Sequence, residues 1–405
     1  MRTTANGHFV LALMLVSAGC GSVAPSPSPS LTASSMASLQ PSVPPISTST
    51  PSPTVPPTPP TSGEVTDLAC DPGRLPEGFT GHVSAFASLA DEIVWSGGPG
   101  RNDNDLYRYV PGDSQPELLY LNPERTSSIT SIVGGAAGYA FTDERWDGDE
   151  PRGWRLWLLA GLGTDPLLID QSSDDRQIAP TVAMNDAWIA WEVVHGSYEN
   201  PVNELRVVSV ADPLAPTTLL SYPGRDVYMQ FPNLWDDELW YGIADNDWEA
   251  LTERPRVEVI DLSNPAAAPA VFGAGRRAFM PAPGTNVVAW KSGGSDELAA
   301  LNSGVLTLYW RATGDIDELP VPGPETAAAR ISYPSVGNRF VAWWDDIQQR
   351  LYVYDLAERQ FRRIAEYDWT SDERVVKQSL AGDLLVYMHY LSDGERYLEW
   401  CVLPR

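Results

Sequence analysis

The chain has 405 residues, with 53 Asp and Glu against 27 Lys and Arg, giving a formal net charge of −26. A surface this acidic repels nucleic-acid phosphates and anionic headgroups, which argues against nucleic acid as a partner. Three cysteines and four histidines leave few side chains for thiolate or imidazole chemistry.

Arg2 is the only charged residue among the first 19, and Phe9–Gly19 is an apolar run that ends in small residues. A run this short falls well below the roughly 20 residues needed to span a bilayer, and it suits the hydrophobic region of a secretory signal. The sequence Val16-Ser17-Ala18-Gly19-Cys20 resembles the bacterial lipobox, in which small residues precede a cysteine that is lipidated. The resemblance implies a lipoprotein signal peptide over 1–19 and a lipid on Cys20, which would tether the chain to a cell-envelope membrane on its extracytoplasmic side. Ser17 stands where the lipobox usually has Leu. Residues 21–63 hold 12 prolines and no charged side chain, with Ser and Thr filling most of the remainder. Such a stretch cannot bury enough apolar surface to offset its ordering entropy. It reads as a disordered, partly extended spacer reaching up to roughly 130 Å.

The rest, 64–405, carries all 53 acids and reads as one domain built on an internal repeat. A turn, two or three apolar residues and an aromatic recur, with the aromatics at Trp95, Phe141, Trp191, Tyr241, Trp290, Trp343 and Tyr387. Each copy sits in a pattern of four short strands. The third copy gives Ala179–Met184, Ala187–Val194, Leu205–Val210 and Thr217–Leu220. The sixth gives Ser332–Val336, Phe340–Trp344, Leu351–Leu356 and Phe361–Ile364. One short helix is expected, at Trp248–Glu253 within a loop. Four strands every 44 to 53 residues are the signature of propeller blades, each of which needs neighbours to cover its two faces. The fold class is therefore all-β: a β-propeller, seven-bladed on this count, with six or eight blades as the alternatives. Blade seven runs out after three strands. The unpaired segment Glu64–Asp71 is expected to close it as an outer strand, which would set Cys70 beside Cys401 for a disulfide in an oxidising compartment.

Pro334-Ser-Val-Gly-Asn-Arg-Phe-Val-Ala-Trp343 followed by Leu351-Tyr-Val-Tyr-Asp-Leu356 resembles the WD-like propeller repeats of the TolB family, as does Pro180–Trp191. The Ser-Pro-Asp-Gly turn typical of that family is absent, and seven copies exceed the six blades of its name-giving member. The resemblance implies the architecture and leaves the partner open.

Connections between second and third strands are long, and those between first and second are tight, so the long-loop end is the expected functional face. Its candidate ligand-binding residues are Asp103, Asp105, Trp146, Asp147, Asp149, Tyr198, Asp247, Trp248 and Asp345. Trp rings beside carboxylates suit a sugar, and Asp147-Gly148-Asp149 and Asp103-Asn104-Asp105 are compatible with Ca²⁺, although neither completes a calcium-loop spacing. His82 and His389 are weak metal candidates near the ring closure. No phosphate loop, His-Glu-x-x-His or Gly-x-Ser-x-Gly motif occurs, and no catalytic residue is identified. These readings favour a binding module for a protein or an envelope glycan. The alternative is an extracellular polysaccharide lyase or hydrolase that uses acids, with or without a metal, in the propeller channel.

Overall fold

The computed structural model describes residues 65–405, apart from 71, 77, 80–81, 99–103, 125, 148–149, 174–178, 198–199, 248–251, 293–303, 322–330, 346–349, 367–372 and 392–395. The segments expected as signal (1–19) and spacer (20–63), with Cys20, lie outside these residues. The described part is a β-propeller of seven blades, each built on four antiparallel strands, with no helix among the described residues. The strands nearest the central axis are His82–Leu89, Ser127–Gly135, Val182–Met184, Val227–Trp235, Phe279–Pro283, Ser332–Val336 and Glu373–Ala381, for blades one to seven. The anticipated strands of repeats three and six appear within a few residues of the expected bounds, as Val182–Met184, Trp188–Gly196, Pro201–Ser209 and Thr217–Pro223, and as Ser332–Val336, Phe340–Asp345, Arg350–Asp355 and Gln360–Glu366. The helix expected over Trp248–Glu253 is not formed where it can be followed, because Thr252 and Glu253 begin the strand Thr252–Asp261.

Packing explains why the strands are apolar on both faces. Ile93 and Trp95 of blade one meet Val386, Met388, Leu398 and Trp400 of blade seven. Their neighbour Val94 points the other way, onto Ile129, Ile132 and Phe141 of blade two. All seven repeat aromatics lie on the second strand of their blade and are buried, which identifies them as the cement between blades.

Ring closure differs in detail from the expectation. The outer strand of blade seven is Gly73–Arg74, paired antiparallel with Trp400 and Glu399. Within the segment expected to fill that place, Thr66–Asp67 instead runs parallel to Arg362–Arg363 and becomes a fifth strand on blade six. The chain thus crosses from one blade to the next between these two short strands. Cys70 lies in that crossing and is bonded to Cys401, with the Cα atoms 5.9 Å apart. Arg74 carries the closure inward by pairing with Glu399 at 2.6 Å.

The second-to-third connections expected as loops in blades two, three and four are mostly strand. Gly138–Asp147 pairs with Glu150–Leu159, Trp188–Gly196 with Pro201–Ser209, and Glu238–Asp247 with Thr252–Asp261. Polar side chains along these hairpins find partners on the adjacent strand, and that extends the ladder beyond the apolar core. Arg155, for example, joins Asp143 at 2.5 Å and Glu124 at 2.8 Å.

Candidate functional site: the channel and its turn-end bowl

The tight first-to-second turns surround one end of the axis, and side chains lock each to the next. The Ala136 amide donates to Asp186 Oδ1 at 2.6 Å, Asn185 Nδ2 to the Asp236 carbonyl at 2.7 Å, and Trp188 Nε1 to Asp237 Oδ1 at 2.9 Å. Gly135 permits the first of these approaches, since a Cβ there would stand 2.9 Å from Asp186 Oδ1. These turns enclose a bowl of about 1140 Å³ lined by residues of six blades. Five carboxylates belong to its wall, Asp91, Glu92, Asp186, Asp236 and Asp237, together with Tyr139 and Trp235, and no Lys, Arg or His does. Glu92 is engaged behind the wall by the Tyr139 hydroxyl at 2.8 Å. Burial and that carboxylate together push the Tyr139 phenol up to about 12. Asp91 projects into solvent.

Inside the channel, the inner strands of blades four, five and six share one irregularity. Two residues oppose one between Gln230 and Asn233, between Phe279 and Ala282, and between Ser332 and Ser335. Each bulge holds a non-glycine residue in the left-handed region: Phe231 at φ 54°, Met280 at 53° and Tyr333 at 50°. Each is followed by proline, which has no N–H to lose from the ladder. At two of the three bulges a neighbouring blade takes up a released carbonyl. Asn233 Nδ2 donates to the Pro281 carbonyl at 2.8 Å, and Gln378 Nε2 donates to that of Tyr333. Left-handed backbone costs such residues about 1–2 kcal/mol each. The Phe231 and Tyr333 rings meet edge to face, with centroids 6.0 Å apart, although a whole blade separates their strands. They therefore form a collar over the inner strand of blade five, and Tyr333 remains 40% exposed.

On the inner strand of blade seven, the Lys377 ammonium sits 5.5 Å from the centre of the Phe86 ring. Burial lowers its pKa, and no carboxylate among the described residues offsets this.

Most of the anticipated site residues are not gathered here. Asp103, Asp149, Tyr198 and Trp248 lie outside the described residues, as do the side chains of Asp147, Asp247 and His82. Asp105 and Asp345 are corrections: both are buried, at 4% and 0% exposure, and neither is a loop ligand. Asp105 accepts the Asn122 amide at 2.9 Å. Trp146 is half-buried on a hairpin strand. His389 alternates with Leu385 and Tyr387 on the side of blade seven that packs on blade six, away from blade one and His82. Its Nε2 lies 2.7 Å from Glu399 and its ring stacks on Tyr397. Among the described residues no three His, Cys, Asp or Glu side chains are arranged to hold a metal ion. The bowl and collar escaped sequence reasoning. One signal was present, however: Phe231-Pro, Met280-Pro and Tyr333-Pro each fall ten residues before a repeat aromatic.

Solved structures share the propeller fold. The β-propeller domain of the Trilobed protease from Pyrococcus furiosus aligns with a TM-score of 0.53 at 8% identity, over 79% of this chain and 93% of that one. A prolyl endopeptidase aligns at 0.50 and 11%, over 78% of this chain and 47% of that one. Prolyl oligopeptidase B from Galerina marginata aligns at 0.50 and 9%, over 80% and 52%. The chain spans about half the length of these latter enzymes, and the likeness establishes the fold alone. No family description and no curated protein sequence matches the chain.

Proposed function

We propose that this chain is a lipid-anchored extracytoplasmic lipoprotein whose propeller is a protein-binding module, held off the membrane by its spacer and engaging its partner through the turn-end bowl. The observation that carries this reading is the bowl itself: a wide concavity with five carboxylates in its wall and no basic side chain. Such a surface raises the local concentration of cationic groups and speeds their encounter. The lipobox-like Val16–Cys20, the proline-rich spacer and the TolB-like repeats support an envelope setting. The choice of the turn end over the hairpin end rests on Asp91, Asp186, Asp236 and Asp237, which are exposed there, whereas Asp105, Asp143 and Asp345 are buried within the blades.

The test places a photo-crosslinking amino acid at Trp235 in the full-length chain, in its own cells, with a second version at Leu118 on the outer strand of blade one. A discrete adduct from position 235 that is absent from position 118, and is lost with Asp91→Asn/Asp236→Asn, is the expected result. Equal labelling from both positions would sink the assignment of the bowl. Replacing Cys20 by Ser is expected to move the protein from membrane to soluble extracytoplasmic fractions, and unchanged membrane association would refute the anchor.

A further inference from the structure

The channel wall changes character with depth. Carboxylates line the bowl. Three residues further along the blade-four strand from Leu234 of the bowl lies Phe231, which with Tyr333 forms the apolar collar. Four residues in from Ala381, which also lines the bowl, lies Lys377. At about 3.3 Å per strand residue these steps amount to roughly 10–13 Å, the reach of three or four extended peptide residues. Gln378 donates to the Tyr333 carbonyl, so the Lys377 strand runs directly beside the one that carries the collar. The sequence of chemistries inward is thus acid, apolar, ammonium.

Each layer constrains the occupant separately. The acids favour cationic side chains at the mouth. The collar favours an aromatic or branched aliphatic side chain, since Tyr333 leaves much of its surface uncovered. Lys377 is set over Phe86 with no counter-ion among the described residues, in a chain of formal charge −26. An ammonium in a half-buried wall disfavours a cation at that depth and favours an anion that can accept its hydrogen bonds. Among the short segments that a protein partner offers, a free carboxyl terminus combines these demands in the right order.

We propose that the bowl and channel together take the carboxyl-terminal tail of a partner protein, with basic residues at the rim, an apolar last side chain against Phe231 and Tyr333, and the α-carboxylate at Lys377. The proposal rests on the bowl being the binding face, and it names the class of ligand. It also assigns Lys377 a purpose that packing alone does not supply, because a methionine would fill the same space beside Phe86 without the cost of burying a charge.

The experiment measures fluorescence anisotropy of a fluorescein-labelled hexapeptide, Gly-Ser-Arg-Arg-Leu-Phe, on the full-length protein with its carboxyl terminus free or amidated. The free acid is expected to bind about tenfold or more tightly than the amide. Lys377→Met is expected to erase that difference while leaving the amide's affinity in place. Tyr333→Ala weakens both forms, and Asp91→Asn/Asp236→Asn weakens both and flattens their salt dependence. The chain has only two lysines, Lys291 and Lys377. Reductive ¹³C-methylation therefore supplies an independent readout, in which the Lys377 methyl signal shifts saturably with the free acid and stays still with the amide. Equal affinity for acid and amide, with a silent Lys377 signal, overturns the proposal. If the peptide fails in this way while the Trp235 crosslink persists, the tail is wrong and the bowl stands. If both fail, the bowl reading falls as well.

Discussion

The ring is closed by very little protein. Four backbone pairs hold the N-terminal segment: Thr66 with Arg362, Asp67 with Arg363, Gly73 with Trp400 and Arg74 with Glu399. The Arg363–Asp67 ion pair of 2.7 Å faces solvent, with Asp67 70% exposed, and such a pair contributes about 1 kcal/mol at most. The Cys70–Cys401 bond is accordingly the dominant clasp. It joins residues 331 apart in sequence, and constraining so long a loop in the unfolded chain corresponds to about 6 kcal/mol by chain-entropy reckoning, against about 2–4 kcal/mol for typical measured bridges. Domain stabilities are roughly 5–15 kcal/mol, so either figure is a large share. The perturbation is Cys70→Ser/Cys401→Ser, followed by urea unfolding monitored by tryptophan fluorescence. The midpoint is expected to fall by on the order of 1 M, with a steeper slope because the unfolded chain loses its cross-link and exposes more surface. Limited proteolysis is expected to release the segment before Gly73 from an otherwise intact ring. Coincident unfolding curves for the variant and the parent protein would refute the reasoning, since they would mean that the short strands alone bear the closure.

Other expectations concern closure, charge and core. A Cβ at Gly73 would stand 2.3 Å from the Trp400 indole, so Gly73→Ala should expel the closing strand and make Cys70 and Cys401 reducible under mild conditions; unchanged resistance to reductant would contradict this. Burial works against ionisation of Glu399, yet hydrogen bonds from His389 and Arg74 outweigh it and hold the carboxyl below the usual range. That contribution is present above the unfolded glutamate value of about 4.3 and is lost as pH falls through the lower folded value. Glu399→Gln should therefore flatten the acid limb of the stability profile. Glu192 is the opposite case: burial pushes it up to about 8, and its Oε2 has no partner. Stability should decline as pH rises from about 4.3 towards that folded value, and Glu192→Gln should be more stable than the parent at neutral pH by about 1 kcal/mol or more, as read by thermal melts. Trp343, fully buried and stacked on Tyr352 at 5.5 Å, should cost about 3–5 kcal/mol when replaced by Ala.

The architecture was legible because a propeller repeats one energetic problem seven times. Every second strand must bury both faces, and so the aromatics from Trp95 to Tyr387 recur at the blade spacing and announce their own burial. The strand count and the two cysteines near the ends of the domain pointed to closure for the same local reason. Which residues would form the closing strand was settled only in three dimensions. Thr66–Asp67 and Gly73–Arg74 compete for two adjacent sheet edges, and the pairing depends on side-chain fit against Arg362, Arg363 and Trp400, far away in sequence.

The site was much less legible. Acid-rich connections looked like ligand loops, but their pattern cannot separate a carboxylate in solvent from one such as Asp143 or Asp345 that is buried within a blade. That distinction depends on what sits across the strand or on the next blade. The bowl is made of Asp91, Asp186 and Asp236, residues from three different turns that are unremarkable singly and meaningful only as a ring. The collar arises because three bulges bring Phe231 and Tyr333 into contact across an intervening blade, and Lys377 acquires its character from Phe86 and from the acids that are absent around it among the described residues. Sequence by itself determined the period, the strands and the core, since each is enforced within a blade or between neighbours. Tertiary structure alone decided the channel, because its chemistry is assembled from residues of several blades at a distance from the axis that no local pattern encodes.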